Sequence, residues 1–395
     1  MRTRRLPTTV TALVAVTALF ATAAACAPPP PEFYRPPDAL PARPGDVVRT
    51  VKTSFGNATH VDATAVSYRS TSATGRANYV TGTLLVPKAA WTRGGARPIV
   101  SFAPGTQGVG DSCASSTAIP KGTSYQQGAM RQMLNRGWAV AVTDYEGIGT
   151  PGDHTYVIKD AEAHALLDIV RAAQRIPGSG VAANAPVAFW GYSQGGQAAA
   201  AAAEREASYA PELNVVASAA GGVPSELGAL AAHLDGPGNF WFSFLAFAAL
   251  GLDAAYPELD LESYLSETGR DLLERGRDVC LIDGLPLGAG RHISDLTTTN
   301  PLDTPQWQAR IAEQRLGTVA PAAPVYQYHG VRDQIIPYEQ GTSLRDAWCA
   351  GGARVESVDL ELADHILGVA VAVDDVIAWL DERFTGQPFT PTCNA

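Results

Sequence analysis

One change of local pattern restricts this chain more than any other feature. Val187-Ala188-Phe189-Trp190 is an apolar run of strand length, and it leads directly into Gly191-Tyr192-Ser193-Gln194-Gly195. The segment that follows, Gly196–Ser208, contains six successive alanines, Ala198 to Ala203. The spacing predicts a strand, a tight turn and a helix. An alanine helix has no bulk on any face and can lie very close to a sheet. G-x-S-x-G between a strand and a helix has a mechanical meaning: the glycines let neighbouring backbone approach, and the strained turn lifts the serine Oγ clear of the sheet. Ser193 is therefore the candidate nucleophile.

The rest of the chain fits around that unit. Ala65–Ser70 and Tyr79–Val86 read as an antiparallel start, and Pro98–Phe102, Trp138–Thr143, Val325–Tyr328 and Arg354–Leu360 read as further strands. Between them, Asp160–Arg175 keeps apolar residues at helical spacing, with Asp160 as its N-cap. Val373, Val376, Ile377, Leu380 and Phe384 mark an amphipathic C-terminal helix. Such alternation predicts an α/β fold with a mostly parallel sheet covered by helices on both faces. Residues 223–319 break it and read as a helical cap inserted between two strands. Within them, the run from Phe240 to Phe247 fits a buried cap helix, the lining of an acyl-chain pocket, or a lipid-facing surface. The resulting division is 1–25 export signal, 26–48 proline-rich tether or strap, 49–222 first part of the core, 223–319 cap, and 320–395 second part of the core.

The N-terminus carries Arg2, Arg4 and Arg5, then an apolar stretch from Val10 to Ala25 closed by small residues and Cys26. This is the layout of an export signal. Ala24-Ala25-Cys26 also resembles a bacterial lipobox, in which Cys26 is lipidated and becomes the new N-terminus. A soluble-secretion cut is the other outcome. Cys113, Cys280, Cys349 and Cys393 remain; four cysteines in an exported chain can form two disulfides in three connectivities. The 46% hydrophobic content excludes a disordered chain, and the formal charge of −10 speaks against nucleic-acid binding.

A serine nucleophile needs a base, and the base needs an orienting acid, in the chain order Ser, Asp/Glu, His on a doubly wound hydrolase sheet. His292, His329 and His365 follow Ser193 at suitable distance. His292 sits in the cap and His329 ends a strand. His365 lies between the last strand and the last helix, from which a base can reach the turn. Asp333 stands just past a strand end; Asp364 and Asp303 are weaker alternatives. Gln194, the residue after the nucleophile, supplies one oxyanion N–H. For the second, generic hydrolase geometry favours the loop Ala103–Gly108 over Asp144–Gly147.

Several stretches together resemble the secretory lipases of the fungal lipase A type, which are α/β-hydrolases with an inserted cap. They are Phe33-Tyr34 with Pro44-Gly45, Asp144-Tyr145-Glu146-Gly147, Gly191 to Gly196, Tyr209-Ala210-Pro211-Glu212-Leu213, Asp333 with Pro337, and Asp364-His365. The resemblance implies Ser193 as nucleophile, Asp333 as acid and His365 as base. It implies Asp144 with Gln194 as the oxyanion hole, in place of the first loop, and the disulfides Cys113–Cys280 and Cys349–Cys393. The fungal enzyme has a smaller residue where this chain has Gln194. The expected activity is hydrolysis of carboxylic esters of the acylglycerol kind, with no metal or organic cofactor. The expected partners are a lipid ester and, through Cys26, a membrane tether, in an extracellular or cell-surface location. The alternatives are an acyltransferase using the same acyl-enzyme, and a non-catalytic lipid-binding lipoprotein on a hydrolase scaffold.

Overall fold

Period-two burial sorts the apolar runs into strands with two buried faces. In Val187–Tyr192, Val187 and Phe189 join one apolar cluster, while Ala188 and Trp190 join the other. The computed structural model describes residues 28–393; the expected export signal and Cys26, the residue expected to be lipidated, lie outside the described residues. Nine strands form one sheet: β1 Val47–Thr53, β2 Val61–Thr71, β3 Ala77–Pro87, β4 Ile99–Ala103, β5 Ala139–Thr143, β6 Val187–Tyr192, β7 Val215–Gly221, β8 Val325–Gly330 and β9 Val355–Leu360. Their order is β1-β2-β3-β5-β4-β6-β7-β8-β9. The pairs up to β3–β5 are antiparallel, and every pair from β5–β4 onward is parallel.

The alanine helix, Gln194–Tyr209, packs with the helix Lys159–Arg175 on one face of the sheet. All six alanines from Ala198 to Ala203 are buried, because a larger side chain at that spacing has nowhere to go. The C-terminal helix Val373–Phe384 covers the opposite face. Asp160 does not cap its helix. Ile158 is the N-cap residue, and Asp160 lies in the first turn, where its carboxylate accepts from Arg205 at 2.8 and 2.9 Å.

The proline-rich segment lies on the core as a strap. Phe33 is buried, its carbonyl accepts from Tyr79 Oη at 2.6 Å, and Tyr34 Oη is 2.9 Å from Ser116 Oγ. Between β7 and β8 the chain is helical and builds a third apolar cluster, which also takes in Tyr156, Val157, Ile335 and Ile336 from the sheet's loops. It sits over the carboxyl ends of the parallel strands, where open α/β sheets bind ligands. In the aromatic run, Phe242 and Phe247 are buried, whereas Phe240 is 49% exposed. Cys113–Cys280 links the loop after β4 to this helical segment across 167 residues, and Cys349–Cys393 holds the C-terminus. No helix among the described residues is long and apolar enough to cross a membrane.

Candidate active site

β6 ends at Tyr192, and the chain reverses into the alanine helix through Ser193, whose φ and ψ are +61° and −124°. Only glycine fits two positions before it and two positions after it. A Cβ at Gly191 would collide with the carbonyl of Gly195, and one at Gly195 with the carbonyl of Ala103. Four non-glycine residues among those described have positive φ, and three of them, Tyr145, Val157 and Ser193, surround this turn. Each such conformation costs about 1–3 kcal/mol and persists only where the surroundings enforce it.

His365 opens the short helix His365–Val371 after β9. Its Nε2 is 2.9 Å from Ser193 Oγ, and its Nδ1–H donates to Asp333 Oδ2 at 2.6 Å. Asp333 follows β8; its Oδ1 accepts the backbone N–H groups of Ile335 (2.9 Å) and Ile336 (2.7 Å). Burial alone would raise the Asp333 pKa, but hydrogen bonding to His329 and His365 and their charge hold its carboxyl well below the usual carboxylate range. The carboxylate is thus ionised and fixed. The other sequence candidates lie elsewhere. His329 donates from Nε2 to the carbonyl of Ile336 (2.9 Å) and stands 3.5 Å from Asp333, behind the acid. Asp364 caps its helix by accepting from Leu367 N at 2.7 Å. His292 is bound to the Asp235 carbonyl within the helical segment, and Asp303 is exposed in that segment too.

Asp144 does not offer the oxyanion N–H that the resemblance implied. Its N–H donates to Thr81 O at 2.8 Å, one rung beyond the β3–β5 ladder. Its carboxylate is spent on Ser116 N (2.8 Å), Ser116 Oγ and Thr81 Oγ1 (2.7 Å). The loop that passes the turn is Ala103–Gly108, since the Ala103 and Pro104 carbonyls lie against Gly195. Gln194 begins the helix beside Ser193, where the first N–H groups have no intrahelical acceptor.

Behind Gln194 lies a buried polar cluster. The Gln194 Nε2 is 2.8 Å from Glu162 Oε1 and 2.9 Å from His154 Nε2. His154 Nδ1–H donates to the Glu146 carbonyl (2.8 Å), which leaves Nε2 as an acceptor; burial pushes its pKa down to about 4. Glu162 Oε1 also accepts the N–H of Val157 (3.0 Å), and Gln197 Nε2 donates to the Val157 carbonyl (3.1 Å). Burial pushes Glu162 up to about 8. The sequence did carry a signal for Glu162: it shares one helix stripe with Leu166, Ile169 and Ala173, all buried.

The cleft over Ser193 has ≈ 450 Å³ of empty space, walled by Val157, Leu227, Leu234, Phe244, Ala248 and Ile335 among others. A second, strongly apolar pocket, with ≈ 810 Å³ of empty space when that open to solvent is counted, lies within the helical segment, and Leu245 lines both.

The architecture is that of the α/β-hydrolases. The crystal structure of Candida antarctica lipase A in its closed state covers 92% of this chain and 89% of its own, with a TM-score of 0.83 at 23% identity. A family model for secretory lipases matches residues 116–392, and the chain belongs to that family. It is 30% identical to a probable inactive lipase of Mycobacterium tuberculosis over 91% of this chain and 82% of that protein. It is 29% identical to a secreted triacylglycerol lipase of Malassezia globosa over 91% of this chain and 80% of that protein. A lipase-type ester hydrolase is the class these similarities support.

Proposed function

We propose that the protein is a serine hydrolase of lipid carboxylic esters, working through Ser193, His365 and Asp333. The observation that carries this is the continuous chain from Asp333 Oδ2 through the imidazole to Ser193 Oγ, at 2.6 and 2.9 Å. His365 takes the Ser193 proton as Oγ attacks the ester carbonyl, and Asp333 holds the tautomer and offsets the imidazolium. The tetrahedral oxyanion is held by the Gln194 N–H and by an N–H of the Ala103–Gly108 loop. His365 then protonates the leaving alcohol, and water releases the acyl group by the same route. The apolar cleft over Ser193 accommodates the acyl chain, and residues 223–319 act as its cap. If Cys26 is lipidated, the enzyme works tethered to a membrane; mass spectrometry of the mature N-terminus reads this directly.

The test is a chain-length series of p-nitrophenyl esters and emulsified triglycerides, with Ser193→Ala as blank. Hydrolysis that survives in Ser193→Ala overturns the reading. One observation favours a second reading, a lipid-binding protein without catalysis: a relative of this chain bears the name of a probable inactive lipase. Labelling of Ser193 by an active-site phosphonate decides between the two.

A further inference from the structure

Glu162 takes no part in the chemistry above, yet it joins two strained parts of the site. Through one oxygen, Oε1, it holds the side chain of Gln194, the residue next to the nucleophile, and the backbone N–H of Val157, a wall residue of the Ser193 cleft. Val157 is β-branched with φ +53°, a conformation such residues avoid. Its carbonyl is held from the other side by Gln197, one turn along the same helix as Gln194. Gln194 in turn has its second amide hydrogen on His154. The other oxygen of Glu162, Oε2, is buried with no hydrogen-bond partner.

We infer that Glu162 is a positioning residue that acts in its protonated form, locking the oxyanion donor Gln194 and the cleft wall at Val157 together while placing no charge behind the reacting carbonyl. This rests on the serine-hydrolase reading. A carboxylate at this point would have two costs. A buried charge with only one oxygen partnered is poorly solvated. It would also face the negative charge that develops on the substrate oxygen, in a region where electrostatic interactions are weakly screened. The neutral acid keeps the acceptor that Gln194 and Val157 need and avoids both. The titratable groups around Glu162 are Tyr145 and Tyr156, whose pKa values burial raises, and neutral His154. None of them supplies a compensating positive charge. Burial of Glu162, which raises its pKa to about 8, therefore sets an alkaline limit on activity that the Ser–His pair itself does not impose.

The experiment compares wild type with Glu162→Gln, which keeps the accepting oxygen but cannot ionise, and with Glu162→Ala. For wild type, kcat on a soluble p-nitrophenyl ester should fall about tenfold between pH 7 and 9. Glu162→Gln should stay within about threefold of wild type at pH 7 and lose that limb. Glu162→Ala should be impaired at every pH. Infrared difference spectra between wild type and Glu162→Gln should show a protonated-carboxyl stretch at pH 7 that disappears above pH 9. An absent stretch, or an alkaline limb kept by Glu162→Gln, overturns the inference. Ser193→Ala separates the two readings: it leaves the infrared band unchanged, and it abolishes hydrolysis only if the serine mechanism holds.

Discussion

Asp333 and Asp144 are both buried carboxylates at strand ends, and their partners give them opposite roles. Asp333 meets an imidazole and two backbone N–H groups, so its ionised form is favoured in the folded protein. Its stabilising contribution is complete above the unfolded pKa of about 4 and is lost as pH falls through the lower folded value. Asp333→Asn should lower kcat/KM by about 10⁴-fold, as loss of the orienting acid does. Urea unfolding between pH 2 and 6 should show a shallower acid-side loss of stability in this variant than in wild type. Asp144 meets Ser116 and Thr81 and anchors the chain after β5. Asp144→Asn places an amide against donors and should cost about 1–3 kcal/mol in denaturant unfolding, with kcat near that of wild type. A rate loss of 100-fold or more at unchanged stability would return Asp144 to the reacting centre.

At the scale of elements, the alanine helix shows why part of the site could be read from the chain. Strand, turn and small-residue helix are local patterns, so Ser193 and its surroundings stood out. The Asp333 and His365 candidates followed from chain order. β1 and β7 did not stand out. β1 is a half-exposed edge strand whose valines are interrupted by Arg49, Thr50, Lys52 and Thr53, and β7 is Val-Val-Ala-Ser-Ala-Ala-Gly, whose small residues have no strand preference of their own. Asp144 failed for a different reason. A four-residue match cannot show that its N–H already extends a β ladder, because that depends on pairing with Thr81, 63 residues away. The Glu162–Gln194–His154 cluster draws on separate segments: the helix stripe that buries Glu162 shows in the chain, but its partners Gln194 and His154 do not, for the same reason. The tightness of the alanine helix is testable: Ala200→Leu, at a fully buried position, should lose at least about 1–3 kcal/mol through overpacking.

For the whole molecule, the disulfides set how far the helical segment can move. Cys113–Cys280 closes a loop of 167 residues, worth about 5 kcal/mol on the chain-entropy account, against about 4 for the 44-residue loop of Cys349–Cys393. The link is backed by backbone: Val109 N–H donates to Val279 O at 3.0 Å, and Gly108 pairs with Cys280. Both contacts adjoin the loop that passes the nucleophile turn. Cys280→Ser should therefore lower the thermal midpoint and impair kcat, whereas Cys349→Ser should affect mainly stability. Calorimetry and rates on the two variants check this. A chain folded under reducing conditions would carry every reacting group, with that loop held to the segment above it only by the backbone bonds around Val109 and Val279. Forming one sulfur–sulfur bond then becomes a maturation step with no peptide to remove. Until that bond forms, the reacting groups are present but held less firmly under the segment that covers them. Restoring activity to reduced, refolded protein with oxidised glutathione would measure that step.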